Sequence, residues 1–293
     1  MKRILILAVS VFTVSALTAG ALSEAEELNE QGLDYFYEGK YDEALECFEK
    51  ALELDPEYAA AWDGKGRAFN YQQRYNEAMW SFEKALEYDP DMIDVWVHKS
   101  SVRNAQGYYE EALEYLEKVL ADDPDHVHAL TNKGWSYLGL ERFDEALAQV
   151  DKGLELDPEF VYAYVIKAWT LLNLGRPAEA SENFDNAIDL DVLPPAELTG
   201  VWFGKSAALT AMGDFEGAMG LYDKILVQNP EIAVAWYNRA CLKSLSGRKD
   251  EMLTDLAQAI DMAPELAASA QTDADFEAYY DDPDFLELVK PAE

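Results

Sequence analysis

Apolar residues recur along this chain as two helical stripes in every 34 residues. The stretch YDEALECFEKALELDP, from residue 41 to 56, returns as YNEAMWSFEKALEYDP from 75, YEEALEYLEKVLADDP from 109 and FDEALAQVDKGLELDP from 143. A small residue holds one fixed place (Ala44, Ala78, Ala112, Ala146, Ala180, Ala218), and a large ring often follows four positions later, as at Phe48, Phe82, Phe184 and Tyr222. That spacing puts both on one helix face, where the small residue lets a second, antiparallel helix approach closely. The two stripes of each unit are separated by a turn carrying Gly39, Gly107, Gly175, Gly213 or Gly247. Asp-Pro closes each block, and it is expected to start the next helix with Asp as N-cap and Pro in the first turn.

Prolines 56, 90, 124 and 158 keep the step, as do Pro230 and Pro264. Between Pro158 and Pro230 lie two periods plus four residues, and the surplus fits a loop-like insertion at Leu193-Pro194-Pro195-Ala196. Seven units therefore run from 25 to 264, and since none can bury its faces alone, they must stack. The tail from 265 to 293 is expected to cover the last exposed stripe, with Phe276, Tyr279, Phe285 and Leu288 facing inward.

These residues resemble the tetratricopeptide repeat, a 34-residue pattern of W-x2-L-G-x2-Y, then A-x3-F, then A and P. The second unit supplies Trp62, Gly66, Phe69, Ala78, Phe82, Ala85 and Pro90; the first supplies Leu28, Gly32, Tyr35, Ala44, Phe48, Ala51 and Pro56. Departures are Ser100 and Arg103 in the third unit, Val192 for the fifth proline, and Met252 for the seventh alanine. The resemblance implies an all-α fold, a right-handed α-solenoid of about seven helix-turn-helix repeats with a C-terminal capping helix. It also implies a concave groove, lined by first helices, that holds a partner polypeptide.

Charge narrows the partners. With 57 acidic against 23 basic residues, the formal net charge is −34. Such a field repels phosphate backbones and anionic head groups, so no nucleic acid is expected as a partner. The first 21 residues stand apart: Lys2 and Arg3 precede an uncharged run from Ile4 to about Leu17, then Thr18-Ala19-Gly20-Ala21. This reads as a secretory signal peptide, or as an N-terminal membrane anchor if uncleaved. The body is thus expected to be exported, touching a membrane only through that segment. Cys47 and Cys241 lie in the first and last units and are expected to be unpaired.

No phosphate loop, nucleophile elbow or zinc spacing appears in the sequence, so the chain is expected to be non-enzymatic and to need no cofactor. The acidic pairs Asp42-Glu43 and Glu110-Glu111 sit at helix starts, where negative charge suits the helix dipole. All three histidines, His98, His126 and His128, fall within one short window near Asp63 and Asp94, which makes a small-ligand or metal site there the alternative reading.

The family's groove positions, read off all seven units, hold few charges: Glu26, Glu30, Asp63, Arg67 and Asp94. Six of the ten asparagines fall on them: Asn29, Asn70, Asn104, Asn132, Asn173 and Asn238. An amide offers donor and acceptor together and suits a peptide backbone. Phe36, Tyr37, Tyr71, Trp135, Tyr162, Trp169, Phe203 and Tyr237 add rigid contact area. Both sets have a rival use in packing one helix on the next. The groove lacks the basic clamp by which some family members hold a terminal carboxylate, Arg67 excepted. Lys65, Lys99, Lys133, Lys167, Lys205 and Arg239 share one repeat position, which suits ion pairing with the abundant acids.

Overall fold

The structure, a computed structural model, describes residues 24–290. The signal or anchor expected at 1–21 lies outside the described residues. Among those described, no helix is long and apolar enough to cross a membrane.

Two compact units divide after Pro158. The first contains α1 (24–37), α2 (Tyr41–Leu54), α3 (Ala59–Tyr71), α4 (Tyr75–Tyr88), α5 (Ile93–Ala105), α6 (Tyr109–Asp122), α7 (Val127–Gly139) and α8 (Phe143–Leu156). The second contains α9 (Val161–Asn173), α10 (Pro177–Asp189), α11 (Pro195–Ala211), α12 (Phe215–Gln228), α13 (Ala233–Leu245) and α14 (Lys249–Met262). Within each unit the helices pair consecutively, and first helices also touch: α3 on α5, α5 on α7, α9 on α11.

The packing follows from one contact. The small residue of each second helix is fully buried, and so is the ring that follows it in Phe48, Phe82 and Phe184. Phe48 lies against backbone from two directions: a Cβ on Gly32 or on Gly64 would stand 2.6 or 2.5 Å from its ring. Phe82 covers Gly66 in the same way at 2.5 Å, and its other neighbour is the imidazole of His98, with ring centroids 5.8 Å apart. The third pair departs from the pattern without loss of packing. Ser100 stands where glycine is usual and Leu116 where phenylalanine is, and both are fully buried. Added volume at one place is matched by reduced volume at the other.

Turns between paired helices need a left-handed residue at one repeat position. Glycine supplies it at five, with φ between 68° and 79°. At the same position Gln73 (φ 59°) and Glu141 (φ 58°) adopt it with a side chain.

Three expectations are corrected. The Asp-Pro pair does not start the next helix. Asp55 ends α2, its N–H donating to the Ala51 carbonyl at 2.9 Å, and its carboxylate accepts the Glu57 N–H at 3.1 Å. Helix α3 begins only at Ala59, so the aspartate builds an Asx turn in which the proline lies beyond the helix end. Trp62 then staples the new helix back, donating from Nε1 to the Pro56 carbonyl at 2.9 Å, as Trp236 does to Pro230 at 2.8 Å. Second, the four-residue insertion is not simply loop: α11 has 17 residues where α3, α5, α7, α9 and α13 have 13. The surplus becomes one additional helical turn. Third, the tail is three short pieces rather than one capping helix: α15 (Leu266–Ala270), a 3-10 turn (Ala274–Tyr279) and α16 (Pro283–Leu288). Phe276 and Phe285 are buried there with Met252 and Leu256, with Tyr279 and Leu288 packed alongside.

Gly66→Ala is expected to destabilise by about 1–3 kcal/mol, because the methyl meets the Phe82 ring; urea unfolding measures it. Gln73→Gly and Glu141→Gly should each stabilise by about 1 kcal/mol by relieving the left-handed conformation, read as a higher urea midpoint with unchanged slope.

Candidate functional site

The residues expected to bind a partner lie on the first helices, where packing between neighbours claims several of them. Asn104 of α5 is 2% exposed. Its amide donates to the Asn132 carbonyl at 3.1 Å and its oxygen accepts from Ser136 at 2.8 Å, so it ties α5 to α7. Asn132 donates in return to Ser101 Oγ at 2.8 Å. Asn238 engages the Tyr222 hydroxyl, and Asn173 donates to the Trp169 carbonyl of its own helix at 2.9 Å. Asn29 is buried, and the amide oxygens of Asn29 and Asn70 find no hydrogen-bond partner among the described residues.

Aromatic area is divided differently. Phe36 and Tyr237 are buried, and Trp135, Trp169 and Phe203 are half-buried. Tyr37 is 69% exposed, Tyr71 43% and Tyr162 39%. Arg67 is held among the first of these: its guanidinium lies 4.5 Å from the Phe36 ring centre and donates to the Tyr37 hydroxyl at 3.3 Å. Tyr71 stacks on Tyr41, centroids 5.1 Å apart, and meets Phe36 edge-on. Exposed rings thus rest on rings and a cation that pre-set their orientation, which lowers the entropy cost of using them in binding.

The histidines bridge neighbouring pairs. His98 Nδ1 is 2.7 Å from the Asp63 carboxylate. His126 Nδ1 accepts the Ala129 N–H and so caps α7, leaving Nε2 to donate to Asp94 at 2.9 Å. His128 meets the His126 ring edge-on at 6.2 Å. Among the described residues these imidazoles and carboxylates form no group of three converging donors; the one such group is Cys241, Asp273 and Asp275. There the Tyr237 hydroxyl donates to Asp273 at 2.8 Å, joining α13 to the 3-10 turn of the tail. Burial, then the two carboxylates, pushes the Cys241 thiol far above its usual range, which keeps it protonated at neutral pH. Cys47 and Cys241 are both free and buried.

The shared basic position forms a ladder between pairs. Lys65 reaches Glu49 at 2.8 Å, Lys133 reaches Glu117 at 2.5 Å, Lys205 pairs with Asp185, and Arg239 reaches Asp223 at 2.5 Å. Each joins a first helix to the second helix of the preceding pair. Lys99 is the exception: it is buried, its ammonium rests 4.9 Å from the Trp96 ring and 5.1 Å from Tyr115, and no carboxylate pairs with it among the described residues. Burial holds its pKa below the ordinary 10.5.

One element of this face was not named from the sequence. Between α9 and α11 lies a cleft of about 240 Å³, lined by Tyr162, Trp169, Leu193, Gly200 and Val201 with Glu197. Its signal was present in the four residues that break the period just ahead of it.

Stacked helix pairs with an open aromatic face define the class, a helical-repeat protein. Family models of the tetratricopeptide repeat match residues 25–58, 59–92, 103–165, 165–231 and 233–266, and the chain belongs to that family. Among solved structures it is similar to a tetratricopeptide repeat protein from Parabacteroides merdae, at 22% identity over 91% of this chain and 99% of the other, TM-score 0.56. PilW, described as a widely conserved type IV pilus biogenesis factor, shares 22% identity over 70% of this chain and 94% of its own, TM-score 0.56. The Cut9–Hcn1 hetero-tetramer of APC/C aligns at 14% identity over 87% of this chain and 55% of that one, TM-score 0.66. No curated protein matches the chain.

The buried ammonium at Lys99 gives a signed pH test. Between its lowered folded pKa and 10.5 the unfolded chain binds the proton more readily, so this group makes stability rise with pH there. Lys99→Met should flatten that rise on the approach to pH 10.5 without loss of stability at pH 7. Lys133→Met, which breaks a ladder pair, should cost up to about 1 kcal/mol at both pH values by urea unfolding.

Proposed function

We propose that the chain is a non-enzymatic scaffold that holds a partner polypeptide along its first helices. It acts outside the cytoplasm, exported or anchored through residues 1–21, in the assembly of a cell-envelope complex. The observation that carries the reading is the aromatic area exposed on the first helices at Tyr37, Tyr71 and Tyr162, while the amides of Asn104 and Asn132 and the imidazoles of His98 and His126 are engaged within the stack. Rigid tyrosines supply contact area at low entropy cost. Family membership supports protein binding as the activity. The fold shared with PilW, a type IV pilus biogenesis factor, supports the envelope setting.

The test is site-specific photo-crosslinking in cells. A benzoyl-phenylalanine at Tyr71 or Tyr162 should capture a discrete partner band, and the same probe at Glu114, an exposed second-helix position, should not. Tyr37→Ala and Tyr71→Ala should each weaken the captured partner's binding about tenfold. Equal capture from both faces would sink the proposal.

A further inference from the structure

We infer that the insertion before α11 builds a specificity cleft for a bulky apolar side chain flanked by basic residues in the bound polypeptide. The inference rests on the first helices being the binding face. Leaving out residues 193–196 brings Val192, Glu197 and Leu198 into line with Pro158, Glu159 and Phe160, and restores the 34-residue period through Trp202. The insertion is therefore one added turn on a frame that is otherwise in register.

That turn carries a local cost. In two other pairs the equivalent tryptophan donates to the closing proline carbonyl, Trp62 to Pro56 and Trp236 to Pro230. Trp202 is 7% exposed, and its Nε1 is buried with no hydrogen-bond partner among the described residues. Asp191 is forced to a positive φ of 53°, and Val192, in place of the proline, is 63% exposed. Local costs gathered at one insertion point to a use for it.

The use is the cleft between α9 and the lengthened α11. Leu193 comes from the insertion itself and Glu197 from the first turns of α11, while Tyr162 and Trp169 form the opposite wall. Gly200 lines it with open space where a side chain would begin. At about 240 Å³ the cleft is below the roughly 300–1,000 Å³ of small-molecule pockets and suits one large side chain. Glu197 is the one carboxylate among otherwise apolar and aromatic lining residues. In a chain of net charge −34, that selects lysine or arginine beside the apolar residue, and the two aromatic walls favour a cation at the rim as well.

The experiment uses fluorescein-labelled nonapeptides with a central Leu, Phe or Ala between paired lysines, and a Leu peptide between paired glutamates, titrated by anisotropy into the full-length chain. The Lys-flanked Leu and Phe peptides should bind at least tenfold more tightly than the Ala and the Glu-flanked peptides. Two variants isolate the cleft. Deletion of residues 193–196 combined with Val192→Pro should abolish the preference for Leu over Ala, and should melt about 3 °C higher as Trp202 regains an acceptor. Gly200→Leu, which fills the cleft at unchanged chain length, should also abolish the preference. Preference retained in both variants, or no preference in the native chain, overturns the inference. If crosslinking at Tyr71 persists while the preference is absent, the cleft falls and the scaffold reading stands. If the preference is present while Tyr71 captures nothing, the cleft stands and the extended binding face falls.

Discussion

A ring pressed onto bare backbone is the contact on which this molecule depends. Phe48 meets Gly32 of its own pair and Gly64 of the next, so the ring is buried only when both are present. A single helix pair cannot satisfy that condition; Phe82 and Phe184 press on Gly66 and Gly204 in the same way, and the smaller buried side chains of Leu116 and Val150 take the place in the third and fourth pairs. The run ends where Phe276 and Phe285, on short helical pieces, bury themselves against Met252 and Leu256 in place of a further pair. Everything polar between the pairs is arranged around this contact: the amide and hydroxyl links of α5 and α7, the His–Asp bridges and the basic ladder.

The period, the buried alanines and the glycine turns were legible because each depends on local spacing repeated many times. Tertiary detail was not. Asp-Pro carries signals for both a helix end and a helix start, and only the hydrogen bonds of Asp55 show that the end and its Asx turn prevail. The four surplus residues were visible as an interruption, and the two prolines among them suggested loop. Pro195 instead sits in the first turn of α11, where its missing N–H costs nothing. The tail's inward aromatics could be named from their character, but its division into three pieces follows from capping by Asp273 and Asp282, each of which starts a new short element.

At the candidate site the same limit applies. Groove positions tell which helix face a residue occupies, not whether it points at a ligand or a neighbouring helix. Asn104 and Tyr37 fall one position apart in the repeat, at its twelfth and thirteenth places, yet the amide is sealed between α5 and α7 while the phenol stands open at the end of α1. The shared lysine position, in contrast, was readable as ion pairing, since a surplus of acids surrounds every copy. Lys99 escapes that rule although Glu83 stands at the ladder position sixteen residues before it, because its ammonium lies instead over Trp96 and Tyr115.

The basic ladder also affects how quickly a partner arrives. Because Lys65, Lys133, Lys205 and Arg239 are each neutralised by a carboxylate of the preceding pair, a distant molecule meets the unbalanced acidic remainder. That remainder draws a cationic polypeptide from solution within a screening length of about 8–10 Å at ordinary ionic strength. For the cationic partner proposed above, encounter is expected to be fast in dilute buffer and to slow with added salt, with residence time, set by aromatic contact, changing little. On that proposal, the residues that align the stack leave the long-range field to set the on-rate, and the rings to set the off-rate.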